Sequence, residues 1–164
     1  MNTDERPLLF LDVDGPLLPF GATADAAPGP VQDGNPLLAR LDPTVGTRLL
    51  ALGCELVWAT TWGHEANEVV APLIGLPPPL PVLEWPAHTP ADGPHGLHWK
   101  TRPIVAWAGS RPFIWVDDEI GPMDRQWVEA QHPAPALLHR VDPSQGLTEA
   151  DFSVLAQWLR ETAP

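Results

Sequence analysis

The chain has 164 residues, of which 44% are apolar, and carries a formal net charge of −12. That size and composition fit one globular domain with its own core and exclude a disordered chain. The negative charge argues against nonspecific binding to nucleic acid or to an anionic membrane surface, without excluding a local basic pocket. Met1 leads into polar residues with no basic, hydrophobic leader pattern, and no apolar stretch is long enough to span a bilayer. Cys54 is the single cysteine, so no intramolecular disulfide forms, and a cytoplasmic location is expected. Cys54 follows Gly53 and starts an apolar run, which reads as a buried, inert thiol.

Taken in chain order, Leu8 to Val13 is an apolar run broken only by Asp12, the pattern of a buried parallel strand. Asp42-Pro43 reads as an N-cap with proline at the first helical position, opening a helix through Val45, Leu49, Leu50 and Leu52 that stops at Gly53. Leu56 to Ala59 is a second buried strand. His64 to Leu73 is a helix, ended by Gly75 and Pro77-Pro78-Pro79. Pro81 to Trp85 is a short third strand whose proline confines it to an edge. A loop rich in Pro, Gly and His spans Pro86 to Leu97. Lys100 to Trp107 is a helix with Pro103 in its first turn, and Pro112 to Val116 is a fourth strand. Pro122 to Gln131 is a helix stopped by His132-Pro133, and Pro135 to Val141 is a fifth strand. Thr148 to Thr162 closes the chain as an amphipathic helix, with Thr148 and Asp151 spaced as a capping box and Phe152, Leu155, Trp158 and Leu159 on one face. Trp58, Trp107 and Trp115 lie in apolar runs and are assigned to the core.

Strands alternating with helices predict an α/β fold: a doubly wound, parallel, five-stranded, Rossmann-like sheet with helices on both faces. Such sheets bind ligands at the carboxyl ends of their strands. There the sequence places Asp12 and Asp14 after the first strand, Thr60 and Thr61 after the second, and Asp117-Asp118-Glu119 after the fourth, with Lys100 at a helix start. Clustered carboxylates repel unless a cation lies between them, and hard oxygen ligands favour magnesium. A carboxylate nucleophile splits phosphoester hydrolysis into two easier steps. Asp14, two residues beyond Asp12, reaches the leaving oxygen if the chain bends after the strand.

These segments resemble the haloacid-dehalogenase superfamily through its sequence motifs in their correct order. The hydrophobic strand and Asp-x-Asp-Gly match Leu9 to Gly15. The strand ending in Ser or Thr matches Thr60, with Thr61 as the alternative register. The isolated lysine matches Lys100, and the paired acids match Asp117-Asp118. The resemblance implies that Asp12 is the nucleophile and Asp14 the general acid and base. It implies that Thr60 donates to a phosphoryl oxygen and that Lys100 orients Asp12. It also implies a magnesium site made by Asp12, the Asp14 carbonyl and Asp118, with Asp117 acting through a metal water or Lys100. The acid two positions after the nucleophile is a phosphatase feature within the family. Val57 to Trp62, with Trp99-Lys-Thr and Arg111 to Glu119, looks like a subgroup of short bacterial members, some of whose relatives are attached to RNA-repair systems.

Other residues near these motifs carry two readings each. Thr61, Trp62, His64 and Trp99 are candidates for substrate contact; the plainer readings are walls of the site for the tryptophans and a helix cap for His64. His88, His95 and His98 form a loose cluster whose spacing fits no familiar zinc pattern. His98 can contact substrate, Arg102 and Arg111 can contact phosphate, and Asp124 reads first as a helix cap. The window 15–41, where family members carry a cap domain, is short and reads as a flap. The substrate is therefore expected to be a phosphorylated molecule, small or bulky, with the flap or the second copy in a homodimer as alternative closures. Phosphoryl transfer to another acceptor, and a silent phosphate-binding module, remain the alternatives to hydrolysis.

Overall fold

The computed structural model describes residues 6–20, 38, 40–77, 79–85 and 96–162. Four strands form one sheet: β1 (Leu8–Leu11), β2 (Glu55–Trp58), β3 (Phe113–Asp117) and β4 (Ala136–Arg140), in the order β2-β1-β3-β4 with every pairing parallel. β1 is flanked on both sides and wholly buried, which explains its unbroken Leu-Leu-Phe-Leu sequence. Around the strands pack α1 (Val45–Ala51), α2 (Ala71–Ile74), α3 (Thr101–Ala108), α4 (Pro122–Gln131) and α5 (Glu149–Thr162).

Side chains alternate along each strand and feed two cores. Leu9, Leu11, Leu56, Trp58, Ile114 and Val116 face one side, with Leu49 of α1, Ile74 of α2 and Phe152 and Leu155 of α5. Leu8, Phe10, Val57, Phe113, Trp115 and Leu138 face the other, with Ile104 and Ala108 of α3 and Val128 of α4. This is the doubly wound arrangement that the sequence predicts, with Trp58 and Trp115 fully buried. Cys54 is buried too, and burial pushes its thiol up to about 11.

The sheet has four strands among the described residues, not five. The expected third strand is reduced to a single bridge of Val82 to Trp58, held by Trp58 N–H to the Pro81 carbonyl and Leu83 N–H to the Trp58 carbonyl, both 2.9 Å. Pro81 has no N–H to donate, so the ladder cannot extend through it. Trp107 is the other correction: it is 44% exposed, because α3 turns Ile104 and Ala108 inward and leaves Trp107 outside. Most of the flap window, residues 21–37 and 39, lies outside the described residues, as do His88 and His95.

Local signals explain the ends of the elements. Asp42 accepts hydrogen bonds from the Thr44 N–H and hydroxyl at 2.8 and 2.7 Å, just ahead of α1. Gly46 lets α1 lie directly on the end of α2, where a Cβ would strike the Ile74 carbonyl and lie 2.8 Å from the Gly75 carbonyl carbon. At the start of α5, Thr148 N–H donates to Asp151 at 2.8 Å and Asp151 N–H returns to the Thr148 hydroxyl at 3.3 Å, the expected capping box. Arg111 does not reach the carboxyl ends of the strands. It pairs with Glu55 at 2.6 Å and with the Arg6 carbonyl at 2.7 Å, bracing the amino ends.

The segment after β2 opens as a π-helical turn, Ala66–Val70, which runs into α2. Asn67 in that turn is a hub. Its Oδ1 accepts from the Trp58 indole and from Leu80 N–H, each 2.9 Å, and its Nδ2 donates to the Leu80 carbonyl at 2.9 Å. Asn67→Ala leaves the buried Trp58 indole N–H and the Leu80 backbone without these partners. The expected loss is about 2–4 kcal/mol, read from urea denaturation.

Candidate active site

β1 ends at Leu11, and Asp12 leaves the strand with its N–H on the Val116 carbonyl at 3.2 Å. The chain then folds into a tight turn: Leu17 and Leu18 N–H both donate to the Val13 carbonyl, at 3.1 and 2.9 Å, and Gly15 N–H donates to the Leu18 carbonyl at 3.1 Å. Gly15 adopts φ of 100°, and a Cβ there would lie 2.8 Å from Asp118 Cγ. The glycine of Asp-x-Asp-Gly is thus needed twice, for its left-handed backbone and for the close approach of the turn to Asp118.

Neighbouring elements bring four more groups to Asp12. Thr60 follows β2, is fully buried and hydrogen-bonds Asp12 through its hydroxyl. Lys100, just ahead of α3, is 3% exposed, and its Nζ lies 3.2 Å from Asp12 Oδ2 and 2.8 Å from Asp117 Oδ2. Asp117 ends β3, and its other oxygen accepts the Glu119 N–H at 3.1 Å. Asp118, next along, touches Asp117 side chain to side chain. One carboxylate oxygen from each of Asp12, Asp117 and Asp118 lies within 4.8 Å of the others.

The position of Lys100 is built by residues behind it. Asp124 Oδ1 accepts from His98 N–H at 2.8 Å and from the Thr101 hydroxyl at 2.7 Å, while Oδ2 accepts from Gly121 N–H at 2.9 Å. The carboxylate therefore caps α4 and staples the Lys100 turn to it. Lys100 N–H donates to His98 Nδ1 at 3.1 Å, which assigns the ring hydrogen to Nε2, facing Glu119 at 2.7 Å. His98 is buried in this network rather than open to substrate.

Burial and like charge set the electrostatics. Desolvation raises the Asp12 carboxyl to about 7. Lys100 opposes the rise and Asp117 adds to it, while the Val13 N–H and Thr60 hydrogen bonds pull it down. Burial, a hydrogen bond shared with Asp117 and repulsion from Asp117 raise Asp118 to about 7. Burial works against the charge of Lys100, but Asp12 and Asp117 outweigh it and hold the ammonium above its ordinary value. The donor set fits a hard divalent cation: carboxylate oxygens outnumber the one ammonium, and Asp12 and Asp118 are held back from ionising by burial and by the nearby Asp117.

The remaining expected residues surround this group at different depths. Asp14 is half-buried, and its Oδ2 accepts from the Trp62 indole N–H at 3.2 Å. Thr61 and His64 are exposed, and His64 faces Glu84 at 3.4 Å rather than capping a helix. Trp99 is half-buried, edge to face with Trp85 at 4.7 Å and stacked on His98 at 5.3 Å. Arg102 lies 5.9 Å over the Trp127 ring, outside the cluster. Three neighbours make contacts for which the sequence carries no signal. Trp85 donates its indole N–H to the Thr60 carbonyl at 3.0 Å, Glu119 holds His98, and Arg140 Nε donates to the Asp118 carbonyl at 3.1 Å. Only the pairing of distant segments shows them.

The Gly15 contact supplies a direct check on this geometry. Gly15→Ala forces a side chain into a left-handed residue and against Asp118. It is expected to cost about 1–3 kcal/mol, measured by thermal or urea unfolding.

A family model described as the HAD domain in Swiss Army Knife RNA repair proteins matches residues 8–152, from the first residue of β1 into α5. No curated protein and no solved structure matches the chain. The match takes in every strand and each residue of the buried cluster, Asp12, Thr60, Lys100, Asp117 and Asp118, and on that extent the chain belongs to this haloacid-dehalogenase family.

Proposed function

We propose that the chain is a magnesium-dependent phosphomonoester hydrolase acting on phosphorylated nucleic-acid ends through an aspartyl-phosphate. The observation that carries this reading is the buried Lys100 ammonium, 3.2 Å from Asp12 and 2.8 Å from Asp117, with Asp118 alongside. A strand-end carboxylate beside a lysine and further acids is what phosphoryl transfer to an aspartate requires. The substrate class is supported by the family's occurrence in RNA repair proteins and by the window 15–41, too short for a separate cap domain. In this reading the chain is a single domain with an open site. Its net charge of −12 disfavours long backbone contacts, so recognition centres on the terminus.

Asp12 attacks phosphorus as the leaving oxygen takes a proton from Asp14; Asp14 then removes a proton from the water that hydrolyses the intermediate. Lys100 and the Thr60 hydroxyl neutralise charge on the phosphoryl oxygens and align Asp12. Both Asp117 oxygens are already taken, one by Lys100 and one by Glu119 N–H, so Asp117 acts as the anchor of Lys100. Asp12 and Asp118, with the Asp14 carbonyl, would hold the magnesium ion, which supplies positive charge against the phosphate dianion. Thr61, His64 and Trp99 stand where substrate beyond the phosphate would lie, and an aromatic pair such as Trp85 and Trp99 suits a nucleobase.

Asp12→Asn tests the reading directly. The amide keeps the shape, and Lys100 keeps Asp117 as its partner, so the fold is expected to survive. Phosphate release from a terminally phosphorylated oligonucleotide should fall by more than about 10³-fold. Undiminished turnover with an unchanged circular dichroism spectrum would rule the nucleophile out.

Burial and the neighbouring Asp117 push Asp12 and Asp118 up to about 7 in the folded chain, above the ordinary carboxylate range, so folding takes up protons between that range and about 7. Their effect on stability is therefore least unfavourable at low pH. It worsens as pH rises from the ordinary carboxylate range and levels off above about 7. A cation that replaces those protons gains most at high pH. Magnesium is expected to raise Tm more at about pH 8 than at about pH 5, and EDTA to stop phosphate release. A magnesium shift independent of pH, measured by scanning calorimetry, would contradict a cation site at Asp12 and Asp118.

A further inference from the structure

We infer that Trp62 is the positioning residue for Asp14, and that its indole N–H decides which Asp14 oxygen carries the transferred proton. The inference rests on the reading of Asp14 as acid and base given above. Trp62 lies 48 residues from Asp14 in sequence, yet its Nε1 donates to Asp14 Oδ2 at 3.2 Å. Among the described residues, Trp62 is the side-chain donor to Asp14. The ring itself is fixed, half-buried against the core on the α1 side of the sheet. Its backbone is tied as well, with Trp62 N–H on the Thr60 hydroxyl oxygen at 3.2 Å. Trp62 therefore bridges the two loops that carry Asp14 and Thr60.

The chemistry of the donor matters more than its presence. An indole nitrogen donates and cannot accept. Oδ2 therefore cannot point a proton at Trp62, and because the carbonyl-type oxygen of a carboxylic acid is the better acceptor, the indole favours the acid form of Asp14 with its hydrogen on Oδ1. In the first step an Asp12 oxygen bonds to phosphorus and the bond to the leaving oxygen breaks. The leaving oxygen takes the electron pair and the Oδ1 proton. In the second step Oδ1 accepts a proton from water. The water oxygen bonds to phosphorus, and the electron pair of the broken bond returns to Asp12. Oδ2 accepts the same indole hydrogen bond in both states, so the carboxyl need not rotate between steps. A serine or histidine at this place, able to donate or accept, would leave the proton distributed over both oxygens.

Trp62→Phe removes the N–H and keeps an aromatic ring. The readout is kcat/KM, which reports the step that forms the aspartyl-phosphate, for an alkyl phosphate and for p-nitrophenyl phosphate. The alkyl ester needs its leaving oxygen protonated and the nitrophenyl ester does not. The expected loss is about 10- to 100-fold on the alkyl ester and under about threefold on the aryl ester. In an Asp14→Asn background, Trp62→Phe should cost nothing further on either ester. Equal losses on both esters, or the same loss with Asp14→Asn already present, would overturn the inference and leave Trp62 a wall of the site. Asp14→Asn losing equally on both esters overturns the acid and base reading itself, and Trp62 with it. Should Trp62→Phe not fold, 3-benzothienylalanine at position 62 keeps the shape, replaces the N–H by sulfur, and carries the same expectations.

Discussion

A single lysine inside the protein holds the arrangement together. Lys100 has almost no contact with solvent and bridges Asp12 and Asp117, residues that leave adjacent central strands. Stripping water from an ammonium and two carboxylates costs several kcal/mol per ion. The cost is offset only while all three stay in place, so the group behaves as one unit and constrains the elements that bear it. β1 and β3 must end at matching heights, and α3 must begin over that edge. A third acid, Asp118, has no ammonium of its own among the described residues, and its carboxyl shares a hydrogen bond with Asp117 instead. The excess of acids is what gives the cluster its affinity for a cation, and it is also what makes the cluster unfavourable by itself at neutral pH.

Such a cluster works only if its members cannot swing away from one another, and the residues behind it see to that. Asp124 has no place in the chemistry, yet it ties the start of α4 to the turn carrying Lys100 through three hydrogen bonds. His98 is the same kind of residue. Glu119 fixes its ring on one side and the Lys100 backbone on the other. Gly15 permits the turn after β1 to press against Asp118, and Arg140 pins the Asp118 carbonyl from the edge strand. Rigidity of this sort lets fixed dipoles and charges act without reorganising during a reaction.

The aromatic residues divide by depth. Trp58 and Trp115 fill the two cores, Trp107 lies on the outer surface of α3, and Trp62, Trp85 and Trp99 stand half-buried around the acids. Sequence alone set Trp58 and Trp115 apart from Trp62 and Trp99 and misplaced Trp107, which also lies in an apolar run. A helix of α3's length carries one apolar stripe, and Ile104 and Ala108 occupy it, which leaves Trp107 outside. The third expected strand failed for a comparable reason. Its residues have strand-like character, but Pro81 lacks the N–H that a ladder needs, so one bridge to Trp58 is all that forms.

What the sequence determined by itself was the order of the strands and helices, the two-sided burial of the sheet, and the identity of the residues at the strand ends. Asp12, Thr60, Asp117 and Asp118 were legible because period and burial are local properties, and polar residues at the end of an apolar strand violate them visibly, while Lys100 was legible as a lysine opening a helix in the motif order. What only the tertiary structure decided was how those residues are held. Trp62 on Asp14, Trp85 on Thr60, His98 between Lys100 and Glu119, and Arg140 on Asp118 all join segments far apart in the chain or on opposite sides of a turn. A hydrogen bond depends on distances of a few tenths of an ångström and on direction. Those are set by how the sheet brings separate loops to one edge, and no local pattern in the chain encodes them.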